Sequence, residues 1–116
     1  MADDPQDRVF SALAHPARRR IIDLLVQSPG CSVKSVAAQF QFSRIAAMKH
    51  LTLLEQAGLV LSEKDGRTRK LYFNSLPIQQ IYDRWTTDLS SFWSCRVADL
   101  QARVEQRAAE GRKQRA

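Results

Sequence analysis

The chain has 116 residues, 44% of them hydrophobic and 26% charged, the size and balance of one ordinary globular domain. No apolar run approaches the ~18 residues of a membrane span, and the acidic opening MADDPQDRVF lacks a charged-then-apolar secretory pattern. The protein is therefore expected in the cytoplasm, without a membrane partner. A formal net charge of +6, with its positive excess in residues 15–72 and 96–116, suits a polyanionic partner.

Val9, Phe10, Leu13 and Ala14 predict a short first helix. Pro16 is placed to open a second, because proline is tolerated in a first turn; it carries Ala17, Ile21, Leu24 and Leu25 on one face and stops at QSPG. Ser32 caps a third helix with Val33, Val36, Ala37 and Phe40 inward, and Ser43 caps a fourth that runs to Ala57 and ends at Gly58. The segment LVLSEKDGRTRKLYFNS predicts a β-hairpin, two apolar runs around Asp65-Gly66 with its tip at Lys64–Lys70. From Ile78 a helical spacing resumes through Tyr82, Trp85, Leu89, Trp93, Val97, Leu100 and Val104, a length that calls for a partner helix.

These elements are mainly α with a small β-hairpin, and the economical architecture is a winged helix-turn-helix with a long C-terminal dimerisation helix. Residues 1–106 form the single domain, and the polar segment 107–116 is expected to fray.

Stepping 100° per residue from Ser43 gathers Ala47, Leu51 and Leu54 on one side of the fourth helix, with His50 at its edge. Ile45, Lys49, Thr52 and Gln56 occupy the other. In a DNA major groove Lys49 can meet a phosphate or guanine, Thr52 a base edge or phosphate, and Arg44 can fork onto guanine. Ile45 and Met48 suit thymine methyl groups, or else they pack beneath the wing or the long helix. Lys64, Arg67, Arg69 and Lys70 on the hairpin can reach a minor groove or flanking phosphates, although a charged hairpin can equally be a solvated turn. Arg18, Arg19 and Arg20 can help hold backbone phosphates or stand solvated; they point in three directions, so at least one is expected to pair with an acid such as Asp23.

The strings FSALAHPARRRIIDLL, SVKSVAAQFQFSRIAAMKHLTLLEQAGLV and EKDGRTRKLYFNS, in that order, resemble the ArsR-type (arsenical-resistance-repressor) family of bacterial winged-helix transcription regulators, from about Val9 to Val104. SRIAAMKHL followed by LEQAGLV is similar to the branch pattern SRPAVSKHL with LEEAGLV. The resemblance implies a homodimeric repressor that blocks a promoter on double-stranded operator DNA and is released by a signal. Carried over by position, Ser43, Arg44, Ala46, Lys49 and His50 fall in the recognition motif and Arg67 and Arg69 in the wing. First and last helices would form the dimer interface, with Val9, Phe10, Leu13, Tyr82, Trp85, Leu89, Phe92, Trp93 and Leu100 as its candidates.

Ile45 and Met48 stand where that branch has proline and serine, so base preference does not transfer. The paired-cysteine signature of the family's metal sensors is replaced by SVKSVAA, and the last helix, IYDRWTTDLSSFWSCRVADL, contains no histidine. No metal or other cofactor is therefore expected. Cys31 and Cys95 are too few for a disulfide framework; some relatives sense oxidants through one cysteine near the second helix and one in the last, whereas Cys31 lies after the second helix, and a redox or arsenic-sensing role stands against two buried or idle thiols. An unknown small-molecule or redox effector is thus the expected signal.

An enzyme needs a poised nucleophile, acid–base pair or metal. The two histidines are explained by the fold, His15 at the start of the second helix and His50 bonding locally at the core margin, so no catalytic residue is assigned. The rival reading is a winged-helix protein-interaction module without sequence-specific DNA binding; the cationic rim around Arg44 and Lys49 favours DNA. RNA lacks an aromatic stacking platform beside the basic residues.

Overall fold

The computed structural model describes residues 4–86 and 90–115. The described elements run α1 (Pro5–Leu13), α2 (Pro16–Gln27), β1 (Cys31–Ser32), α3 (Val33–Phe40), α4 (Arg44–Gln56), β2 (Val60–Asp65), β3 (Thr68–Phe73), α5 (Leu76–Trp85) and α6 (Ser90–Arg115). Two compact units divide between Ile81 and Tyr82. The first holds the winged helix-turn-helix, and the second holds the long C-terminal helix. No helix among the described residues is long and apolar enough to cross a membrane.

Helix starts follow their capping chemistry. Asp4, His15, Ser32 and Ser43 each accept a backbone N–H from the first turn of the helix they precede, satisfying a donor that the helix itself leaves orphaned. Arg18 and Arg19 close the preceding helix instead of meeting an acid. Arg18 Nε donates to the Ala12 carbonyl at 2.8 Å and its Nη2 to Ser11 at 3.1 Å, while Arg19 Nη1 donates to Leu13 at 2.6 Å. Cations at a helix C-terminus also suit its dipole, so two members of the arginine run hold α1 onto α2.

The turn between α3 and α4 is made by Gln41, whose φ of 57° lies in the left-handed region. Its neighbour Phe42 donates to the Ala37 carbonyl at 3.0 Å, the bonding pattern that ends a helix sharply. This directs α4 across α1 and α2. Ile21, Leu25, Val36, Leu51, Leu54, Leu59 and Leu71 are fully buried together, and Ala47 completes the inward face of α4.

The hairpin belongs to a three-stranded antiparallel sheet of order β1-β3-β2. Cys31 pairs with Leu71 and Ser32 with Lys70, a strand too short to register as a sequence period. Asp65 pairs with Thr68, so the turn residues are Gly66 and Arg67, with Gly66 at φ 63°. The tip is therefore shorter than Lys64–Lys70. Glycine at the first position of a two-residue hairpin loop is the choice its positive φ favours.

The C-terminal region departs from a single helix beginning at Ile78. Helix α5 stops at Trp85, and Thr86 donates its hydroxyl to the Tyr82 carbonyl at 2.5 Å, a side-chain bond that competes with helix continuation. Helix α6 extends to Arg115, through the segment expected to fray. Four-residue hydrogen bonds from Gln101 to Glu105 and from Gln106 to Glu110 accompany it, the spacing at which helical side chains meet.

At the edge of the first unit the His50 ring lies 4.9 Å from His15 and 5.3 Å from Phe42. Its Nδ1 is buried without a hydrogen-bond partner among the described residues, in place of the local bond expected for it. Burial, then the positive neighbours His15 and Arg18, hold its pKa below the ordinary 6.5. An imidazole depressed in this way takes a proton more readily in the unfolded chain, so its contribution to stability is present above pH 6.5 and is lost as pH falls toward the folded-state value. Urea unfolding at pH 7.5 and 5.5 should show wild type losing stability on acidification, and His50→Gln losing less.

Candidate nucleic-acid interface

Helix α4 presents two faces because its buried residues recur at helical spacing. With Ala47, Leu51 and Leu54 inward, Arg44, Ile45, Lys49, Thr52 and Gln56 are exposed. Ile45 is 72% exposed, too open for a packing role within the described residues. Met48 differs: it is half-buried and packs against the core. The two apolar residues flanking the recognition motif therefore do different things.

Between α3, α4 and the wing lies a groove of about 390 Å³, lined by Lys34, Arg44, Met48, Arg67, Thr68 and Arg69 together with Ser32 and Val33. Every ionisable side chain that lines it is a cation. Lys34, in the first turn of α3, is the member that sequence reasoning missed; the signal was available, since the helix preceding a recognition helix crosses the DNA backbone.

The wing cations separate into two kinds. Arg69 Nη2 donates to Ser62 Oγ at 2.8 Å and to Glu55 Oε1 at 3.3 Å, and Lys70 Nζ lies 3.0 Å from Asp65 Oδ2. The Asp65 carboxylate, by hydrogen bond and by charge, raises the Lys70 pKa above its ordinary value. Lys64 and Arg67 are exposed, and no ion pair engages them among the described residues. Within the recognition motif Ser43 caps the helix through Ala46 N–H at 3.1 Å. Ala46 is half-buried, and His50 turns toward His15 and Phe42.

The residues expected at a subunit interface are also distributed unevenly. Val9 is only 3% exposed and belongs to the core of its own unit, so it offers no surface, and Leu13 packs partly against that core. Phe10, Tyr82, Trp85, Phe92, Trp93 and Leu100 are exposed; Leu89 lies outside the described residues. Along α6, Trp93, Val97, Leu100 and Val104 follow steps of four, three and four, and each is more than half exposed.

A family model described as a helix-turn-helix domain matches residues 13–63. The HTH-type transcriptional regulator YuzN of Bacillus subtilis (strain 168) is 33% identical over 86 residues, covering 69% of this chain and 94% of its own. Among solved structures, the ArsR family transcriptional regulator RHA00566 superimposes with a TM-score of 0.63 at 30% identity, over 81% of this chain and 97% of its own. The chain belongs to the ArsR family. It is a transcriptional regulator of the helix-turn-helix type, a class defined by binding DNA. A further match, the homodimeric winged helix-turn-helix DNA-binding domain of Mb0332 from Mycobacterium bovis, described as a possible ArsR-family transcriptional regulator, superimposes with a TM-score of 0.60 at 26% identity, over 68% of this chain and 72% of its own.

For an ArsR protein the thiols and possible metal ligands are of particular interest. Among the described residues no group of three or more His, Cys, Asp or Glu is placed to hold a metal ion. Cys31 is half-buried in β1 and Cys95 is exposed on α6. Burial pushes the Cys31 thiol above its ordinary pKa, away from the thiolate form that reacts. Titration with a chromogenic disulfide at pH 7.5 should show one fast thiol per native chain, lost in Cys95→Ser, with Cys31 reacting quickly only after unfolding.

Proposed function

We propose that the protein is a homodimeric repressor that reads operator DNA with α4 and the wing, blocks a promoter, and is released by a signal. The observation that carries the reading is the groove between α4 and the wing, whose ionisable side chains are all cations, on a helix that also exposes Lys49 and Thr52. Arg44 and Lys49 are the base-reading candidates, Thr52 bonds a base edge or phosphate, and Ser43 holds the helix start that brings Arg44 to the groove. Lys34, Lys64 and Arg67 are the phosphate contacts, which set register without reading sequence.

Exposed Ile45 gives the reading a specific chemical content. An aliphatic side chain amid cations has no favourable partner in water or on a phosphate, but the thymine C5-methyl presents one in the major groove. Met48, half-buried against the core, offers less surface for such a contact.

A second copy of the chain is the occupant proposed for the apolar stripe Trp93, Val97, Leu100 and Val104. Alternating steps of three and four keep such a stripe on one side of a helix, the spacing by which paired helices bury apolar residues. Two recognition helices then meet half-sites roughly 10 base pairs apart, and a bound dimer excludes polymerase from overlapping promoter sequence. A signal need only couple to the DNA-bound shape by ~1–3 kcal/mol to relieve repression.

The test is a set of titrations on a duplex selected by the protein from a random pool, beside an unselected duplex. Arg44→Ala should weaken the selected duplex by ~1–3 kcal/mol and relax base choice, while Arg67→Ala weakens both duplexes alike. Replacing thymine by uracil, which removes only the methyl group, should weaken wild type at one or two positions and leave Ile45→Ala indifferent there. Failure to enrich any sequence from the pool would favour the protein-docking alternative.

A further inference from the structure

The wing of this protein carries four cations, and on charge alone all of them are candidates for phosphate. Strand geometry separates them. Lys64 and Arg69 are cross-strand partners and share one face of the hairpin, the face that also carries Leu71 into the core, because side chains alternate along a strand. Lys70, the next residue, projects from the opposite face and is engaged by Asp65 at 3.0 Å. Arg67 stands in the turn itself and lines the groove.

Arg69 joins three elements through one nitrogen. Its Nη2 meets Ser62 on β2 at 2.8 Å, and on α4 it meets Glu55 Oε1 at 3.3 Å and Oε2 at 3.5 Å. Glu55 lies three turns along α4 from Arg44, beyond the stretch that faces the groove. The guanidinium is thus compensated by a carboxylate and bridges the wing, one rung in from its closing pair Asp65–Thr68, to the far half of α4. A cation already holding a carboxylate releases little counter-ion on meeting a phosphate unless it first gives that partner up.

We propose that Arg69 is a positioning residue: through Glu55 and Ser62 it sets the wing against the recognition helix, leaving Lys64 and Arg67 as the wing's phosphate contacts. The inference rests on the DNA-binding reading of this face, but the clamp itself exists in the free protein. Its effect is to hold Arg67 at a fixed distance from Arg44, so that a phosphate contact at the tip and a base contact on α4 are made together. Loss of the clamp lets the tip find phosphates on any sequence without bringing α4 into register, so discrimination falls more than total charge attraction does.

Two measurements on the full chain separate the possibilities: amide hydrogen exchange across 60–73 in the free protein, and titrations of selected and random duplexes over a range of salt. Arg69→Ala and Glu55→Gln should each speed wing exchange about 3-fold and reduce discrimination between duplexes about 10-fold, with the salt slope unchanged. Arg67→Ala should leave wing exchange as it is, weaken both duplexes equally and lower the slope by roughly 0.9, the signature of one lost phosphate contact. The exchanged pair Glu55→Arg with Arg69→Glu should restore slow exchange. The proposal is overturned if Arg69→Ala lowers the slope as Arg67→Ala does while Glu55→Gln tightens binding, for then Arg69 leaves Glu55 to meet phosphate. If wild type bound no duplex, the DNA reading would fail, and unchanged wing exchange in Arg69→Ala and Glu55→Gln would separately overturn the clamp.

Discussion

The structure depends on the burial of one face of α4. Ala47, Leu51 and Leu54 enter a core shared with Ile21, Leu25, Val36, Leu59 and Leu71, and burying each leucine contributes ~1.5–3 kcal/mol. A rotation of α4 about its axis would expose that set, so the opposite face has no freedom to turn inward. Ile45, Lys49 and Thr52 are held outward for the same reason that the leucines are held inward. The outward face of α4 is thus a by-product of core packing, and its direction is as firm as the core itself.

Around that helix the polar chemistry organises position more than affinity. Arg18 and Arg19 close α1 through its last carbonyls, and Ser43 starts α4 through Ala46. Arg69 ties β3 to α4 and β2. Each is a cation or hydroxyl that, counted along the chain, could be assigned to DNA. In the folded chain these groups instead decide where the exposed cations stand.

Much of this was legible in the sequence because helix periods and caps are local signals. The α2, α3 and α4 limits, the inward set of α4 and the capping roles of His15, Ser32 and Ser43 all follow from residues within a few positions of one another. What was not legible depends on partners distant in the chain or on competition within a turn. Strand β1 is two residues long and exists only because Leu71 and Lys70 lie beside it. The stop at Trp85 interrupts an apolar spacing that continues unbroken through Tyr82, Trp85 and Trp93, so periodicity carries no mark of it. Charge in the wing was visible, but its division into compensated Arg69 and Lys70 and uncompensated Arg67 required Glu55 and Asp65 to be seen in space. Likewise Ile45 and Met48 look alike in composition, and only the core beneath Met48 distinguishes them.

The central claim is that the outward face of α4, set by its buried face, reads a DNA sequence. It is tested most directly by fluorescence anisotropy of the purified protein on the duplex upstream of its own coding sequence and on a scrambled duplex, at several salt concentrations. A preference of ~10³ or more for the upstream duplex, with log affinity falling linearly and steeply in log salt, is the predicted result. Equal, weak binding of both duplexes at every salt concentration would contradict the claim and assign the exposed face of α4 to a different partner.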